Sequence, residues 1–560
     1  MNIHATFTIV VAAIAVFSLA GCSGGPVQSD ATRDDGLDIV ADAHSDDGAD
    51  GAGDIDARLE GDDFAETADD LPDDSSDDGF DDDPLDSGEV PGDAADDDAV
   101  DAVTPPLWED IAPTGPNTVR ATIGVSTHMH QGPGDNAERN FEFEKYVELG
   151  GATIREDFHW DGIEPADDQW NMDHVKGQMD MAISRGIEVI PMFGYENDWA
   201  QTDGASSIDM AEYGEYVGHV AGQYCQNINI FEIWNEENIP RFWSGKPDAE
   251  AYGRMLKAAH QAITGACPEA RVAFGGIASY DAETDLADRY GFLKRVAAAH
   301  PDICEYFEVV AFHPYTFMQY DPPERDVIID DTLAFQGQSW QTAILKGILD
   351  EIGCPDKSVI ISEQGWPSYD LTEQQVGLFL PRSILLAIRD GVEKYMWYTF
   401  WDGYPTTEGV RPHESYFGLF GWTGGDGTVR RAKPAWAALK ALADNLGEMR
   451  FARDVSTALE LPNDVYALAF MDDRGRLTVA AWDGRDFPDT SWGVDGPGGE
   501  DTSHELLLPL PELYDGLAVY DIEGNLLTEG IDYQVTYGET TTVTILLTPS
   551  VVYIKAFVLV

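Results

Sequence analysis

Residues 231–236 read Phe-Glu-Ile-Trp-Asn-Glu, and this segment decides the fold that we predict. An apolar, strand-forming run begins near Ile228 and ends abruptly in the amide of Asn235 and the carboxyl group of Glu236. Residue types that favour strands, followed at once by polar side chains, are typical of a buried strand that opens into a site at its carboxyl end. We therefore predict that Asn235 and Glu236 lie in such a site.

A second segment repeats the pattern. Within residues 358–365, another short apolar run is followed by Glu363. Glu236 and Glu363 lie 127 residues apart (363 − 236), which is about three strand-plus-helix units of roughly 40 residues each in a (β/α)8 barrel. They are predicted on strands 4 and 7, with both carboxyl groups at the C-terminal rim.

The intervening and flanking sequence fits that barrel. Strand and helix patterns alternate eight times between residues 116 and 446, and short strands rich in Val, Ile and Phe favour a parallel sheet buried on both faces. The predicted strands cover residues 121–127, 153–157, 188–193, 229–234, 271–275, 308–313, 358–362 and 394–400. Helical periodicity stops after residue 446, and residues 447–560 are predicted to form a β-sandwich that packs on the barrel as a structural accessory. The predicted fold class is thus α/β, a (β/α)8 TIM barrel followed by a C-terminal β-sandwich domain.

The N-terminal part of the chain has a different character. Residues 7–20 form an apolar run of signal-peptide length, and residues 19–22 read Leu-Ala-Gly-Cys, which resembles a bacterial lipoprotein box. The resemblance implies a signal peptide at residues 1–22, cleavage before Cys22 and lipid attachment to it, although residues 1–6 contain no Lys or Arg. The expected location is the cell envelope, at the outer membrane or cell surface; the alternative is a secreted protein in which Cys22 is incidental. Residues 23–115, rich in Asp, Gly and Ala, are predicted to be a disordered linker.

Charge and cysteine content limit the partners. The formal net charge of −70 disfavours nucleic acid as a partner, and the oligomeric state stays open.

Four cysteines are predicted near the N-terminal face of the barrel. Each lies between a helix-like and a strand-like segment, at Cys225, Cys267, Cys304 and Cys354. Four cysteines allow three pairings; barrel neighbours favour 225 with 267 and 304 with 354, and free buried thiols are the alternative. Nothing in these positions indicates a metal site.

Two carboxyl groups at one rim suit the hydrolysis of a glycosidic bond. One group protonates the leaving oxygen, and a second group about 5 to 5.5 Å away attacks the anomeric carbon directly, with net retention of configuration. We assign Glu236 as the acid/base and Glu363 as the nucleophile. Two nearby carboxyl groups resist joint ionisation, so the pair is expected to retain one proton.

The motifs also resemble a known family. Trp-Asn-Glu at 234–236, and Ser-Glu at 362–363 followed by Gly-Trp-Pro at 365–367, look like the catalytic motifs of clan A glycoside hydrolases. Within that clan the chain most resembles family 39, of the β-xylosidase or exopolysaccharide glycosidase type, over about residues 118–446. Supporting segments are found at residues 123–128, 154–157, 163–165 and 313–315. The Gly-Trp-Pro segment is also similar to family 17 β-glucanases.

The resemblance implies roles for further residues. Asn235 would bond the sugar 2-hydroxyl group, Tyr315 would orient Glu363, and Arg155 would keep Glu363 ionised, the alternative being an ion pair with Glu232. The residues expected to line the sugar site or stack on it are His128, His313, Trp401, Trp366 and Trp160. Glu237 departs from the family pattern, because proline is common after the acid/base.

The sequence thus predicts a retaining glycoside hydrolase that acts on β-glycosidic bonds of a plant or microbial polysaccharide or oligosaccharide. Water would be the acceptor, and no cofactor is expected. An exo-acting β-xylosidase and an endo-glycanase both remain open. The alternative from another class is a non-catalytic glycan-binding surface lipoprotein, which would need no second carboxyl group.

Overall fold

The computed structural model describes residues 107–128, 136–279, 290–316, 321–324, 327–329, 332–335, 337–369, 371–403, 413–423, 429–485, 503–511, 514–538 and 540–558. Cys22 and most of the predicted linker lie outside these residues. Within the described ranges, no helix combines the length and apolar character needed to cross a membrane.

Eight parallel strands close into a barrel, and two further strands form a hairpin after the sixth. The strands are β1 (Ile123–Thr127), β2 (Thr153–His159), β3 (Val189–Gly194), β4 (Ile230–Asn235), β5 (Arg271–Ala278), β6 (Val309–His313), β7 (Val327–Ile329), β8 (Thr332–Phe335), β9 (Ser358–Gln364) and β10 (Lys394–Tyr398). The order around the barrel is β1-β10-β9-β6-β5-β4-β3-β2, with the antiparallel pair β7-β8 outside it. This is the TIM barrel that the alternating sequence pattern predicts.

Helices surround the barrel in the intervals between strands. They are α1 (Val119–Thr122), α2 (Asn136–Glu148), α3 (Trp160–Ile163), α4 (Asp173–Arg185), α5 (Met210–Tyr224), α6 (Pro240–Trp243), α7 (Ala249–Ala266), α8 (Gly291–Ala299), α9 (Gln338–Glu351), α10 (Glu373–Arg389) and α11 (Pro434–Leu446). Several begin where the sequence supplies a cap: the Asp248 side chain accepts from the backbone at the start of α7, and Thr372 with Gln375 forms a capping box at α10.

The barrel interior changes from apolar to polar along the strands. Its lower layer is built from Ile190, Ile230, Ala273, Val309, Ala311, Ile360 and Met396. Because side chains on a strand alternate between faces, residues two positions further on point into the same interior. Glu232, His313, Ser362 and Tyr398 stand in that relation to Ile230, Ala311, Ile360 and Met396. The polar side chains are therefore stacked above a packed apolar floor, at the C-terminal rim.

The C-terminal domain is a two-sheet sandwich. Its strands are β13 (Arg450–Asp454), β14 (Val465–Met471), β15 (Leu477–Asp483), β16 (His504–Pro509), β17 (Tyr514–Tyr520), β18 (Tyr533–Thr536), β19 (Thr542–Leu547) and β20 (Val552–Val558). They follow the hairpin of β11 (Phe420–Thr423) and β12 (Val429–Ala432). One sheet has the order β13-β14-β15-β20-β17 and the other β16-β19-β18.

The larger sheet has two buried faces. Leu468 and Ala480 point into the core of the barrel, while their neighbours Ala469 and Val479 pack into the core of the sandwich. This alternation is the period of a strand that is covered on both sides. The sandwich is therefore an accessory domain packed on the barrel, as the sequence predicts.

The segment before the barrel corrects one predicted boundary. Leu107, Trp108 and Ile111 pack on the core of the sandwich, and Nε1 of Trp108 donates to the carbonyl oxygen of Pro509 at 2.7 Å. The prediction that residues 23–115 are linker throughout is thus wrong at its C-terminal end. The reason is that three apolar side chains follow the Asp-rich run and find an apolar surface to cover.

Two disulfides brace the helical shell. Cys225 is joined to Cys267, at the ends of α5 and α7, and Cys304 is joined to Cys354. These are the two pairs that barrel neighbourhood favours. Each closes a loop that spans one barrel unit, with sequence separations of 42 and 50 residues, and such closure restricts the unfolded chain.

Candidate active site

A sharp turn at the end of β4 carries Glu236. The backbone of Trp234 has φ of 73° and that of Glu236 has φ of 50°, both in the left-handed region that side chains other than glycine seldom adopt. The amide of Glu236 donates to the carbonyl oxygen of Gly276 on β5 at 3.0 Å. Strain of this kind persists only where the surrounding structure holds it. The turn places the Glu236 carboxyl group beside His313, whose Nδ1 atom lies 2.9 Å from Oε1 of Glu236.

Glu363 lies near the end of β9, across the barrel from Glu236. One carboxylate oxygen of each glutamate and one ring nitrogen of His313 all lie within 4.8 Å of one another. The side chains of Glu236 and Glu363 are 13% and 11% exposed, while His313 is fully buried. Two carboxyl groups that were predicted from separate strand ends therefore meet at one opening to solvent.

His313 occupies the space between these carboxyl groups. Its other ring nitrogen, Nε2, lies 3.0 Å from Oγ of Ser362, and Nδ1 lies 3.7 Å from Oε2 of Glu363. A Cβ atom at position 276 would lie 2.3 Å from Nε2, so only glycine there leaves room for the ring. Burial acts to lower the pKa of His313, but the negative charges of Glu363 and Glu236 outweigh it, and the pKa is raised. The ring thus keeps its proton to a higher pH than an ordinary histidine.

Arg155 contacts three polar side chains of the site, those of Glu232, Glu363 and Asn235. Its Nε atom lies 2.6 Å from Oε2 of Glu232, and its Nη1 atom lies 2.8 Å from Oε1 of Glu363. Nη2 donates to Oδ1 of Asn235 at 2.8 Å. Both partners that were weighed for Arg155, Glu232 and Glu363, are therefore in contact with it. Tyr315 also reaches Glu363, since its hydroxyl group donates to Oε2 at 3.2 Å.

One wall of the site joins the predicted residue His128 to three residues for which no role was predicted, Asp157, His159 and Tyr398. His128 Nδ1 lies 3.1 Å from Oδ2 of Asp157, and His159 Nε2 lies 3.8 Å from the same oxygen. For both histidines burial acts to lower the pKa, yet the hydrogen bond and charge of Asp157 outweigh it and the pKa is raised. Tyr398 meets the His128 ring edge-on, with ring centroids 5.5 Å apart. The spacing of Arg155, Asp157 and His159, two residues apart on one strand, is the signal that could have found them.

Two of the three predicted tryptophan platforms are not free to stack on a sugar. Trp160 and Trp366 have no exposed surface, and Trp160 instead stacks on Tyr216 with centroids 5.4 Å apart. Their predicted place in the sugar site is therefore wrong, because a fully buried ring offers no face to a ligand. Trp401 is partly exposed, but it stacks on Trp422 at 5.1 Å and carries the Arg430 guanidinium 5.3 Å from its centroid. Tyr398, at the end of β10, is an aromatic residue that borders the site, where it contacts His128.

A further buried acid, Glu142, lies close enough to His128 and Glu156 to be affected by their charges. Glu142 on α2 accepts from the hydroxyl group of Tyr146 and from Nε1 of Trp401, the latter at 3.1 Å. Burial is the main cause that raises the pKa of Glu142 to about 8, and the charge of Glu156 adds to it. Glu142 is therefore neutral at the pH where most other acids on the protein are ionised.

Comparison with known proteins places this fold among glycoside hydrolases. A family 39 glycoside hydrolase from the gut symbiont Bacteroides cellulosilyticus WH2 matches with a TM-score of 0.58 and 20% identity, over 78% of this chain and 82% of that chain. A monomeric β-xylosidase from Caulobacter crescentus CB15 matches with a TM-score of 0.53 and 16% identity, over 80% and 98%. A family 30 endoxylanase from Clostridium papyrosolvens C71 matches with 0.51 and 11%, also over 80% and 98%.

Sequence comparison adds no closer relationship, since no family profile and no curated protein matches the chain. The structural matches are therefore the evidence from comparison for the fold. The chain has the barrel-and-sandwich architecture of family 39 and family 30 glycoside hydrolases. At the level of the fold, this confirms the family 39 resemblance that its motifs indicate.

Proposed function

We propose that the protein is a retaining glycoside hydrolase in which Glu236 is the acid/base and Glu363 is the nucleophile. The observation that carries the proposal is the separation of these groups: carboxylate oxygens of both lie within 4.8 Å of one another at the open end of the barrel. An inverting enzyme needs about 6.5 to 9.5 Å between its carboxyl groups to admit a water molecule, whereas direct attack needs about 5 to 5.5 Å. The observed separation supports direct attack.

In the first step, Glu363 attacks the anomeric carbon and forms a glycosyl ester, while Glu236 gives its proton to the departing glycosidic oxygen. Arg155 and Tyr315 both contact the attacking carboxylate, so they hold it in one orientation and leave its charge partly balanced. Asn235 has its amide oxygen engaged by Arg155, which leaves the amide nitrogen as its donor to a sugar hydroxyl group. Positioned donors of this kind act most strongly where charge develops in the transition state.

In the second step, Glu236 removes a proton from water, which attacks the anomeric carbon and releases Glu363. Retention follows because both displacements occur at the same carbon from opposite sides. His313 contacts Glu236 and approaches Glu363, and its raised pKa means that the ring keeps its positive charge beside both carboxyl groups to a higher pH than an ordinary histidine would. It therefore favours the state in which at least one of them is ionised.

The substrate class that we propose is a β-linked plant or microbial polysaccharide, or an oligosaccharide derived from one. Among structures with this fold, one is described as a β-xylosidase and another as an endoxylanase, so exo and endo action on xylan-type chains are the first activities to examine. Their relative contribution is measured by product size: monosaccharides released from chain ends indicate exo action, and a ladder of oligosaccharides indicates endo action.

We propose in addition that the mature chain is anchored to the cell envelope through a lipid on Cys22. The apolar run at residues 7–20 and the tetrad that ends in Cys22 support this. Expression of wild type and Cys22→Ser in a bacterial host, followed by detergent phase separation, tests it. Wild type should enter the detergent phase and the variant should not; equal partition of both into the aqueous phase would refute the anchor.

Glu236→Ala and Glu363→Gln test the catalytic assignment. On aryl β-glycosides with good leaving groups, Glu363→Gln should lose turnover by several orders of magnitude. Glu236→Ala should retain formation of the glycosyl ester and regain turnover when azide is added, with a β-glycosyl azide as product. If wild type binds β-glycans but hydrolyses none of them, the non-catalytic binding protein becomes the better account.

A further inference from the structure

Glu237 follows the proposed acid/base and is fully buried. Within the part of the chain that the structure describes, neither oxygen of its carboxyl group has a hydrogen-bond partner. A buried polar group without a partner is costly, and an ionised carboxylate in such surroundings is far more so. The proposed chemistry makes no use of this residue, and its presence requires a physical reason.

The carboxyl group of Glu237 fills the space above a glycine on the neighbouring strand. A Cβ atom built on Gly275 would lie 2.5 Å from Oε2 of Glu237, 2.5 Å from the carbonyl oxygen of Ile233 and 3.1 Å from that of Trp234. Glycine at position 275 thus makes room for the acid. The same distances place an acid oxygen and two main-chain carbonyl oxygens around one point.

Among the residues that the structure describes, no side chain of the surrounding elements donates to a carboxylate at this position. The charged groups that face Glu237 are Glu232 and Glu236, both acidic, and the uncharged Gly275 of β5 lies beside its Oε2 atom. Two buried tyrosines approach from the helices, Tyr213 of α5 and Tyr252 of α7. Their hydroxyl groups already donate elsewhere, to the carbonyl oxygens of Phe193 at 2.9 Å and of Ile233 at 3.0 Å.

Carbonyl and carboxylate oxygens are all acceptors, so they attract one another only when a proton lies between them. A protonated carboxyl group supplies that proton, and it also removes the charge that burial penalises. In keeping with this, burial, reinforced by the charges of Glu232 and Glu236, raises the pKa of Glu237 well above its ordinary value, despite the opposing effect of its own backbone amide.

We propose that Glu237 is a neutral carboxylic acid that positions Glu236, by donating its proton to the carbonyl oxygen of Ile233 or Trp234. The strained turn at Trp234 and Glu236, with φ of 73° and 50°, is then held from beneath by this bond. Glu237 is a positioning residue and does not touch substrate. The kinetic part of the proposal rests on the proposed glycosidase function, whereas the protonation state of Glu237 does not.

Protonation is tested on the full chain with Glu237→Gln, whose amide donates without titrating, and with Glu505→Gln on the exposed face of β16 as the control. Since the folded-state pKa is raised, the stability that wild type draws from this group is complete below the unfolded pKa of about 4.3 and declines as the pH rises. The melting temperature of Glu237→Gln minus that of wild type should therefore increase from about pH 4 to about pH 8. A flat difference, like that of Glu505→Gln, would overturn the proposal.

Infrared spectroscopy gives a second readout that needs no activity. The wild-type minus Glu237→Gln difference spectrum at neutral pH should contain the C=O stretch of a protonated carboxyl group. A difference band from an ionised carboxylate would show instead that the group is charged, held by a cation or water, and would refute a neutral acid.

Positioning is tested by kcat/KM on an activated aryl β-glycoside. Glu237→Ala should lose about 10²-fold, the cost expected for misplacing a catalytic group by about 1 Å, and Glu237→Gln should restore activity to near the wild-type value. If Glu237→Ala retains wild-type kcat/KM, Glu237 does not position Glu236. If wild type itself is inactive on all glycosides, the proposed function fails, and the melting and infrared results still decide the state of Glu237.

Discussion

Nη1 of Arg155 lies 2.8 Å from Oε1 of Glu363, and the same guanidinium group is held by Glu232 on the other side. The buried arginine links two carboxylates. Glu232 holds the guanidinium group in place, and the guanidinium group holds the carboxylate of the proposed nucleophile in place. Planar, two-sided contact of this kind is specific to the guanidinium group. The site therefore depends on a residue that need not touch the reacting carbon.

Arg155→Lys tests this dependence. A lysine keeps the charge but cannot contact Glu232, Glu363 and Asn235 together, so we expect kcat/KM on an aryl β-glycoside to fall about 10²-fold. We also expect a lower melting temperature, because the buried acids lose part of their compensation. Full activity in Arg155→Lys would show that charge alone is sufficient.

Tyr315→Phe removes a single contact, the 3.2 Å hydrogen bond from the tyrosine hydroxyl group to Glu363. A hydrogen bond to a charged group contributes about 1.5 to 3 kcal/mol, so kcat/KM should fall by about 10- to 150-fold if the bond is present in the transition state. Tyr369→Phe, at a site where the side chain is 55% exposed, is the matched control. Equal activity in both variants would remove Tyr315 from the mechanism.

His313 should contribute more to stability at acidic than at alkaline pH. Its raised pKa means that the contribution is complete below the unfolded pKa of about 6.5 and is lost as the pH rises through the folded value. The melting temperature of wild type minus that of His313→Gln should therefore shrink as the pH increases. His219, whose pKa burial lowers, should give the opposite slope in His219→Gln; the same slope for both histidines would contradict the assignment.

Glu142 should make the protein less stable as the pH rises through the neutral range. At low pH the carboxyl group is protonated in both the folded and the unfolded chain. Between its unfolded pKa near 4.5 and its folded pKa of about 8, only the unfolded chain releases the proton. Glu142→Gln does not titrate, so it should become progressively more stable than wild type across this window and show no further gain above it. The exposed Glu144→Gln on the same helix serves as the control, and an equal pH response in the two variants would argue against a neutral Glu142.

The sequence specified the barrel because its strands are short, apolar and regularly spaced. Strand β4 ends at the predicted Asn235, and β9 ends one residue after the predicted Glu363. Residue type and strand position were also sufficient to bring Glu236 and Glu363 to one rim, since parallel strands all open at the same end of a barrel. The places of Arg155, Tyr315 and His313 at that rim were implied by the family resemblance.

Residues whose role depends on packing were harder to identify from the sequence. A tryptophan near a strand end can cover a core or a ligand, and only coordinates show that Trp160 and Trp366 are enclosed while Tyr398 faces His128. Glu237 was noted only as a departure from the expected proline. Its burial follows from Gly275 on the next strand, a relationship between strands that no local pattern contains.

The most direct test of the central claim is to locate the covalent intermediate. Wild-type protein should be incubated with a 2-deoxy-2-fluoro β-glycoside that carries a good leaving group, then digested and mapped by mass spectrometry. The account predicts one fluoroglycosyl group, attached to the peptide that contains Glu363, and none in Glu363→Gln. Turnover of the natural glycosidic bond with an inverted product, or an adduct on any other carboxyl group, would contradict it.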